Sequence, residues 1–287
     1  MIVVDSHHHK NIINDSPTKD IKKWSLSEGL DINISLGITT KGHLKVLKPY
    51  IFTIETKRFG KVLWGDEDIL SLIPDYSYKD IDPVDGYCLL NNRIVEQLIV
   101  LGRLSSGYQI ADYEITKGYV QLVNSILALK GRYASLYFQK KEAILKLIEE
   151  DPLLSRRVAS FIDKIVPAFD SIYVQDTTTL TKDAALFEWR ILRDCFRQVW
   201  IYETQYLTGA NAQEFIELSK LFTHIPKPGS WIRHWGKYYL SGGMDLPRPW
   251  TIPQYQIYQR AISIYFDKPV DLVKAKGVTR DWERFVK

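Results

Sequence analysis

The stretch Asp183-Ala184-Ala185-Leu186-Phe187-Glu188-Trp189-Arg190-Ile191-Leu192-Arg193-Asp194-Cys195-Phe196-Arg197-Gln198-Val199-Trp200-Ile201-Tyr202-Glu203-Thr204-Gln205-Tyr206-Leu207-Thr208-Gly209 decides how the rest of the chain is read. Ala185, Trp189, Leu192, Phe196, Val199 and Tyr206 recur at helical spacing. Ile191, Cys195 and Tyr202 widen that stripe, and Trp200 lies beside it. A stripe this wide predicts a helix contacted on more than one side. Asp183 suits the N-cap, where its carboxylate accepts the unpaired amides of the first turn. Gly209 suits a left-handed stop, since it has no Cβ to clash there.

The same periodicity spreads outward on both sides. Ile94 to Leu104, Tyr113 to Leu129 and Tyr133 to Glu150 each carry an apolar stripe. Asp151-Pro152 starts another helix, proline being tolerated in the first turn. It is expected to run toward Ile165 and to be interrupted at Pro167. Asn211 to Phe222 and Pro253 to Phe266 read as two further amphipathic helices.

Upstream the pattern changes. Asp31 to Leu36 alternates apolar and polar residues at period two. Leu44 to Leu47, Tyr50 to Glu55 and Lys61 to Trp64 are rich in β-branched and aromatic residues, with Gly37, Gly42, Pro49, Gly60 and Gly65 between them as turns. A small antiparallel sheet or hairpin pair is expected. Residues 65–93 read as an acidic loop, with a short helix opening at Asp66-Glu67-Asp68 and running through Leu72. Asp80, Asp82 and Asp85 invite a calcium reading, but the spacing departs from a calcium loop and position 12 counted from Asp80 is Asn91.

The expected fold is therefore α+β and predominantly α-helical: a small β-rich N-terminal part followed by a multi-helix body, with extended terminal arms. The expected divisions are an N-terminal arm at 1–23, a β-rich subdomain at 24–91, a helical body at 92–222, and at 223–287 an aromatic and basic loop, a last helix and a C-terminal arm.

With 287 residues, 45 % of them hydrophobic, the chain is long and apolar enough for a substantial core. Its 38 basic and 34 acidic residues leave a net charge of +4, which permits nucleic-acid binding without arguing for it. Cys88 and Cys195 make neither a disulfide framework nor a zinc motif. No segment approaches the roughly 18 uninterrupted apolar residues of a membrane helix. The N-terminus has no long apolar run after a basic start. The expectation is an intracellular or virion protein without a signal peptide or membrane contact. His7-His8-His9 reads as a surface run, because consecutive side chains do not converge on one ion. No metal or cofactor is expected.

Two groups of residues point to partners. Arg190, Arg193 and Arg197 stand three and four apart on the long helix, which reads either as an anion-facing row or as a solvated flank paired with Glu188 and Asp194. The segment 223–254 mixes Lys227, Arg233 and Lys237 with Trp231, Trp235, Tyr238, Tyr239 and Trp250. Aromatics at this density belong against another surface. Basic residues interleaved with rings also suit single-stranded nucleic acid. The aromatic members are the expected partner interface, and the basic ones, with the arginine row, the expected nucleic-acid contacts.

Phosphate-binding glycine loops, H-E-x-x-H, G-x-S-x-G and C-x-x-C are absent. One constellation remains. Asp31, followed by Glu55-Thr56-Lys57, resembles the loose pattern of PD-(D/E)xK nucleases. The resemblance implies Asp31 and Glu55 as Mg²⁺ ligands and Lys57 as the stabiliser of developing charge. It requires Glu55 and Lys57 to share one face of a strand, and a helix before the first acid, where this sequence is a poor helix former.

The leading expectation is a non-enzymatic structural or assembly protein that self-associates through arms and aromatic loops, in the manner of a viral or phage capsid, connector or nucleocapsid subunit. A nucleic-acid-binding protein and a Mg²⁺-dependent nuclease are the alternatives.

Overall fold

The computed structural model describes residues 2–5, 23, 24, 27, 38–108, 112–172, 179–210, 238 and 253–286. The chain divides into two units, Met1–Asp80 and Ile81–Lys287.

In the first unit, β1 (Ile2–Val4) pairs in parallel with β2 (Ile38–Thr40), Ile2 opposite Ile38. Among the described residues this is the whole sheet. Asp5 and Lys41 close its end with an ion pair of 2.9 Å. Thr40 then caps α1 (Lys41–Leu44), its hydroxyl accepting the His43 amide at 3.1 Å. After Pro49 comes α2 (Ile51–Phe59), and two short 3₁₀ turns follow at Ile69–Leu72 and Tyr78–Asp80. The core of this unit is small. Leu44, Ile69 and Ile73 are buried, with Val3, Leu47, Val62, Leu70 and Leu72 half-buried around them.

The structure corrects the strand expectations that fall on described residues. Leu44 ends α1, and Lys45-Val46 is a turn. Tyr50 to Glu55 forms the start of α2, and Lys61 to Trp64 is irregular. Ile51, Phe52, Thr53 and Ile54 have the composition of a strand, but strand preference depends on what the side chains pack against. Here burial follows a helical period. Thr53 and Ile54 face inward, while Phe52 and Phe59, seven residues apart, share the outer face. The expected strand Asp31 to Leu36 lies outside the described residues.

Apart from a bridge residue at Thr179, the regular elements of the second unit among the described residues are helices. They are α3 (Pro83–Ser105), α4 (Asp112–Leu129), α5 (Tyr137–Glu150), α6 (Pro152–Val158), α7 (Ile162–Ser171), α8 (Lys182–Thr208), α9 (Pro253–Phe266) and α10 (Leu272–Val286). Helices α3, α4 and α8 pack against one another and form the centre. Around them, α9 and α10 lie on α3, α7 and α5 lie on α4, and α6 lies on α8.

Helix α8 follows its sequence closely. Trp189, Leu192, Phe196, Val199, Trp200 and Tyr202 are all buried. Its N-cap is Thr181, whose hydroxyl accepts the Ala184 amide, so Asp183 sits in the first turn and not at the cap. Gly209 ends it in the left-handed conformation at φ 66°. Asp82 caps α3 by accepting the Val84 amide at 2.9 Å, and Pro83 takes the first position. The helical region thus begins within the expected acidic loop. Pro167 lies inside α7 and does not interrupt it; the break falls at residues 159–161.

The close spacing of the centre depends on two glycines. A Cβ at Gly86 on α3 would meet the Leu129 amide nitrogen at 2.5 Å and the Ser125 carbonyl at 2.8 Å on α4. A Cβ at Gly118 on α4 would collide with the Leu192 side chain of α8.

The expected C-terminal arm is also corrected. Residues 281–286 complete α10. Asp281 is buried and pairs with Arg260 at 2.8 Å, and the Trp282 indole donates to Asn92 Oδ1 at 3.0 Å. Read alone, the segment is polar with two aromatics. As a helix it gives those residues α3 and α9 to bind.

Candidate functional site: a carboxyl group in the helical centre

Helix α8 carries Glu203 into the centre of the second unit. Its residue is 0 % exposed, and neither carboxyl oxygen has a hydrogen-bond partner among the described residues. Burial pushes its carboxyl from the ordinary 4.5 up to about 8, opposed only by the nearby Ser125 hydroxyl of α4. That hydroxyl donates to the Leu122 carbonyl at 2.8 Å, so it is already committed.

Other polar groups collect around the same crossing. Thr204 is buried and its hydroxyl donates to the Tyr87 hydroxyl of α3 at 3.4 Å. The Asn91 amide donates to the Tyr87 carbonyl at 2.7 Å, leaving Asn91 Oδ1 without a partner. Burial raises the Tyr87 hydroxyl well above its usual range and the Cys88 thiol to about 12, so both stay neutral. Glu203 therefore faces neutral polar groups and no cation among the described residues. A carboxyl group in such surroundings is a neutral acid near pH 7, able to donate one hydrogen bond. Fully buried, it does not meet a dissolved substrate in this conformation.

A second polar cluster caps α6. Asp151 accepts the Leu153 and Leu154 amides at 3.0 Å, the Tyr202 hydroxyl at 2.7 Å and the Lys130 ammonium at 3.1 Å. Burial pushes its carboxyl up. The Leu154 amide, Tyr202 and Lys130 together outweigh that and hold it below 3.8. This cluster is satisfied within itself and joins three elements.

The first unit has a concavity of about 440 Å³ lined by Ile54, Lys57, Arg58, Pro74, Asp75, Tyr76, Ser77 and Asp80. Its charges are spoken for locally. Lys57 pairs with Asp75 at 2.9 Å and donates to the Ile73 carbonyl. Arg58 stands over the Tyr78 ring at 4.9 Å, and Asp80 accepts from both the amide and the hydroxyl of Ser77.

The residues singled out from sequence fare unevenly. Glu55 and Lys57 are both on α2, where residues two apart point away from each other, so the shared strand face is absent. Asp31 lies outside the described residues. Arg193 is 8 % exposed and stands 5.5 Å over Trp189, whereas Arg190 is exposed and Arg197 half-buried, so the three do not form one solvent-facing row. Tyr238 is helical and buried. Lys227, Trp231, Arg233, Trp235, Lys237, Tyr239 and Trp250 lie outside the described residues. Asp80, Asp82 and Asp85 serve as turn and helix caps or first-turn acids, and no group of three or more His, Cys, Asp or Glu gathers to hold a metal ion among the described residues.

Glu203 was missed in sequence, although a signal was present. It stands four residues after Val199 and seven after Phe196, where the apolar stripe calls for another apolar side chain. Leu63 and Trp64 lie in irregular chain where a strand is expected, and they are 94 % and 95 % exposed. Among the described residues no helix is long and apolar enough to cross a membrane. Comparison with protein-family models, with curated proteins and with solved structures finds no match to this chain.

Proposed function

We propose that the chain is a structural protein that assembles with copies of itself, and that its first unit supplies an association surface. The observation that carries this reading is the exposure of Leu63 and Trp64, at 94 % and 95 %, in a unit whose buried hydrophobic residues, among those described, are Leu44, Ile54, Ile69 and Ile73. Phe52 and Phe59 add an apolar outer face on α2, and Val46 is exposed in the turn before it. Large apolar side chains left in solvent by one small unit favour a surface that another molecule covers. Basic and acidic residues flank the loop on either side, Lys61 before it and Asp66, Glu67 and Asp68 after it. A mixed rim of this kind suits a protein partner better than a polyanion, and a second copy offers the complementary charges. Capsid, connector and nucleocapsid subunits are the assemblies to which such a chain would belong.

The test is the mass of the purified protein by light scattering, with the A260/A280 ratio taken on the same run. The proposal expects a mass above that of one chain, falling toward 33.4 kDa in the Leu63→Ser/Trp64→Ser double variant. A monomer at the highest attainable concentration overturns it. A raised ratio, with binding that weakens steeply in salt, points instead to nucleic acid.

A further inference from the structure

We infer that the helical centre is a pH-sensitive device, in which the proton held on Glu203 keeps α8 seated against α3 and α4 and its loss drives α8 away from them. The geometry is the ground for this. Glu203 is fully buried, neither oxygen has a partner among the described residues, and it lies where three helices cross. The centre also lacks slack. At Gly86 the backbones of α3 and α4 stand so close that one added carbon would meet the Leu129 nitrogen at 2.5 Å. A carboxylate formed there cannot be hydrated by a small side-chain shift; the helices must part.

Of the groups that face it, the Ser125 hydroxyl alone favours the charged form, and burial outweighs it. From α3 come Tyr87 and Cys88, both kept neutral by burial. From α4 comes the Ser125 hydroxyl, committed to Leu122. From α6, Arg157 donates to Gln198 at 3.1 Å and Gln205 at 3.5 Å, positions on other sides of α8. From α9, Tyr255 bonds the Cys88 sulfur and Tyr258 donates to Asn92 at 2.6 Å. On α8 itself, Tyr202 donates to Asp151, and burial holds its hydroxyl far above neutral pH. No ion pair reaches Glu203 among the described residues, whereas buried carboxylates are ordinarily paired.

The direction of the effect follows from proton linkage. Folded, the carboxyl keeps its proton to about pH 8; unfolded, it releases it near 4.5. Between those values the folded state holds one proton more, so stability falls as pH rises and levels off above the folded value. The unfolding constant therefore rises about tenfold per pH unit across that window.

The experiment compares denaturant unfolding of the full chain and of Glu203→Gln from pH 5 to pH 9. Glutamine keeps the shape and cannot ionise. Glu203→Gln is expected to lose the tenfold-per-unit rise, so that the ratio of the two unfolding constants widens steadily to about pH 8 and is then constant. Parallel profiles overturn the inference. Should the variant fail to fold, infrared difference spectra of the wild-type protein between pH 6 and pH 9 decide the matter. A carboxylic-acid carbonyl band present at pH 6 and lost as tryptophan emission shifts to the red supports it; a folded protein without that band at pH 6 overturns it.

Discussion

The two units solve the same problem with different means. The second buries Trp189, Trp200, Tyr87, Tyr202, Tyr258, Tyr265 and Phe196 completely, and long helices hold them on several sides. The first buries Leu44, Ile54, Ile69 and Ile73 and leaves Trp64, Leu63, Phe52 and Phe59 outside. Helix α8, at 27 residues, is about 40 Å long and offers a continuous stripe. Helix α1 is one turn, and α2 is 9 residues. Short elements cannot enclose large rings, so the first unit leaves Phe52, Phe59 and Trp64 at the surface. The larger buried core lies in the second unit, and the first is where the proposed association surface would lie.

The widest test of that division is to remove a ring from the second unit. Trp189 donates its indole N–H to the Gln97 carbonyl at 3.2 Å and meets the Tyr265 ring edge-on at 5.4 Å. Trp189→Ala removes both contacts and leaves a cavity between α3, α8 and α9. It should cost about 3–5 kcal/mol in chemical denaturation. A loss under about 1 kcal/mol would show that the centre repacks easily and break the contrast. Gly86→Ala comes next. Its new carbon meets backbone atoms of α4, which cannot rotate away, so about 1–3 kcal/mol of destabilisation is expected. Gly118→Ala should cost less, because the obstacle there is the Leu192 side chain. Equal costs would mean that the helices shift as rigid bodies.

The contrast was half legible in the sequence. Helical period named α8 and its left-handed stop at Gly209, because a buried helix writes its contacts into its spacing. Period failed at Tyr50 to Glu55, where only two residues, Thr53 and Ile54, are buried, and β-branched and aromatic composition spoke louder than position. It failed again at Asp281, whose burial depends on Arg260, 21 residues away. Arg193 fits a surface row by spacing, which places it on a helix without saying that it is buried over the Trp189 ring. Glu203 was visible as a carboxyl group inside an apolar stripe, but its effect needs the three-helix crossing, which spacing does not supply.

Asp151 provides a smaller and opposite pH signature within the second unit. Its carboxylate caps α6 and binds Tyr202 and Lys130. Asp151→Ala should cost about 1–2 kcal/mol at neutral pH. A carboxyl held below its ordinary 3.8 stabilises the fold above that pH and loses the contribution as pH falls through its folded value. The difference between wild type and variant should therefore shrink in acid, whereas the Glu203 difference grows toward alkali. A penalty that is constant from pH 7 down to pH 2 would leave only the lost packing of the side chain and remove the charge argument.

The smallest expected change in stability is the most telling for the comparison. Leu63 and Trp64 are almost wholly in solvent, so the folded chain gains little by having them. Leu63→Ser with Trp64→Ser should move the denaturation midpoint by less than about 0.5 kcal/mol. Measurement at a concentration where the wild type is monomeric isolates the fold from any assembly. At higher concentration, association stabilises whatever it buries, and the wild-type midpoint should climb with protein concentration while that of the variant stays fixed. A variant that is unstable even when dilute would mean that these side chains support the first unit from within, and the division of labour between the units would fall.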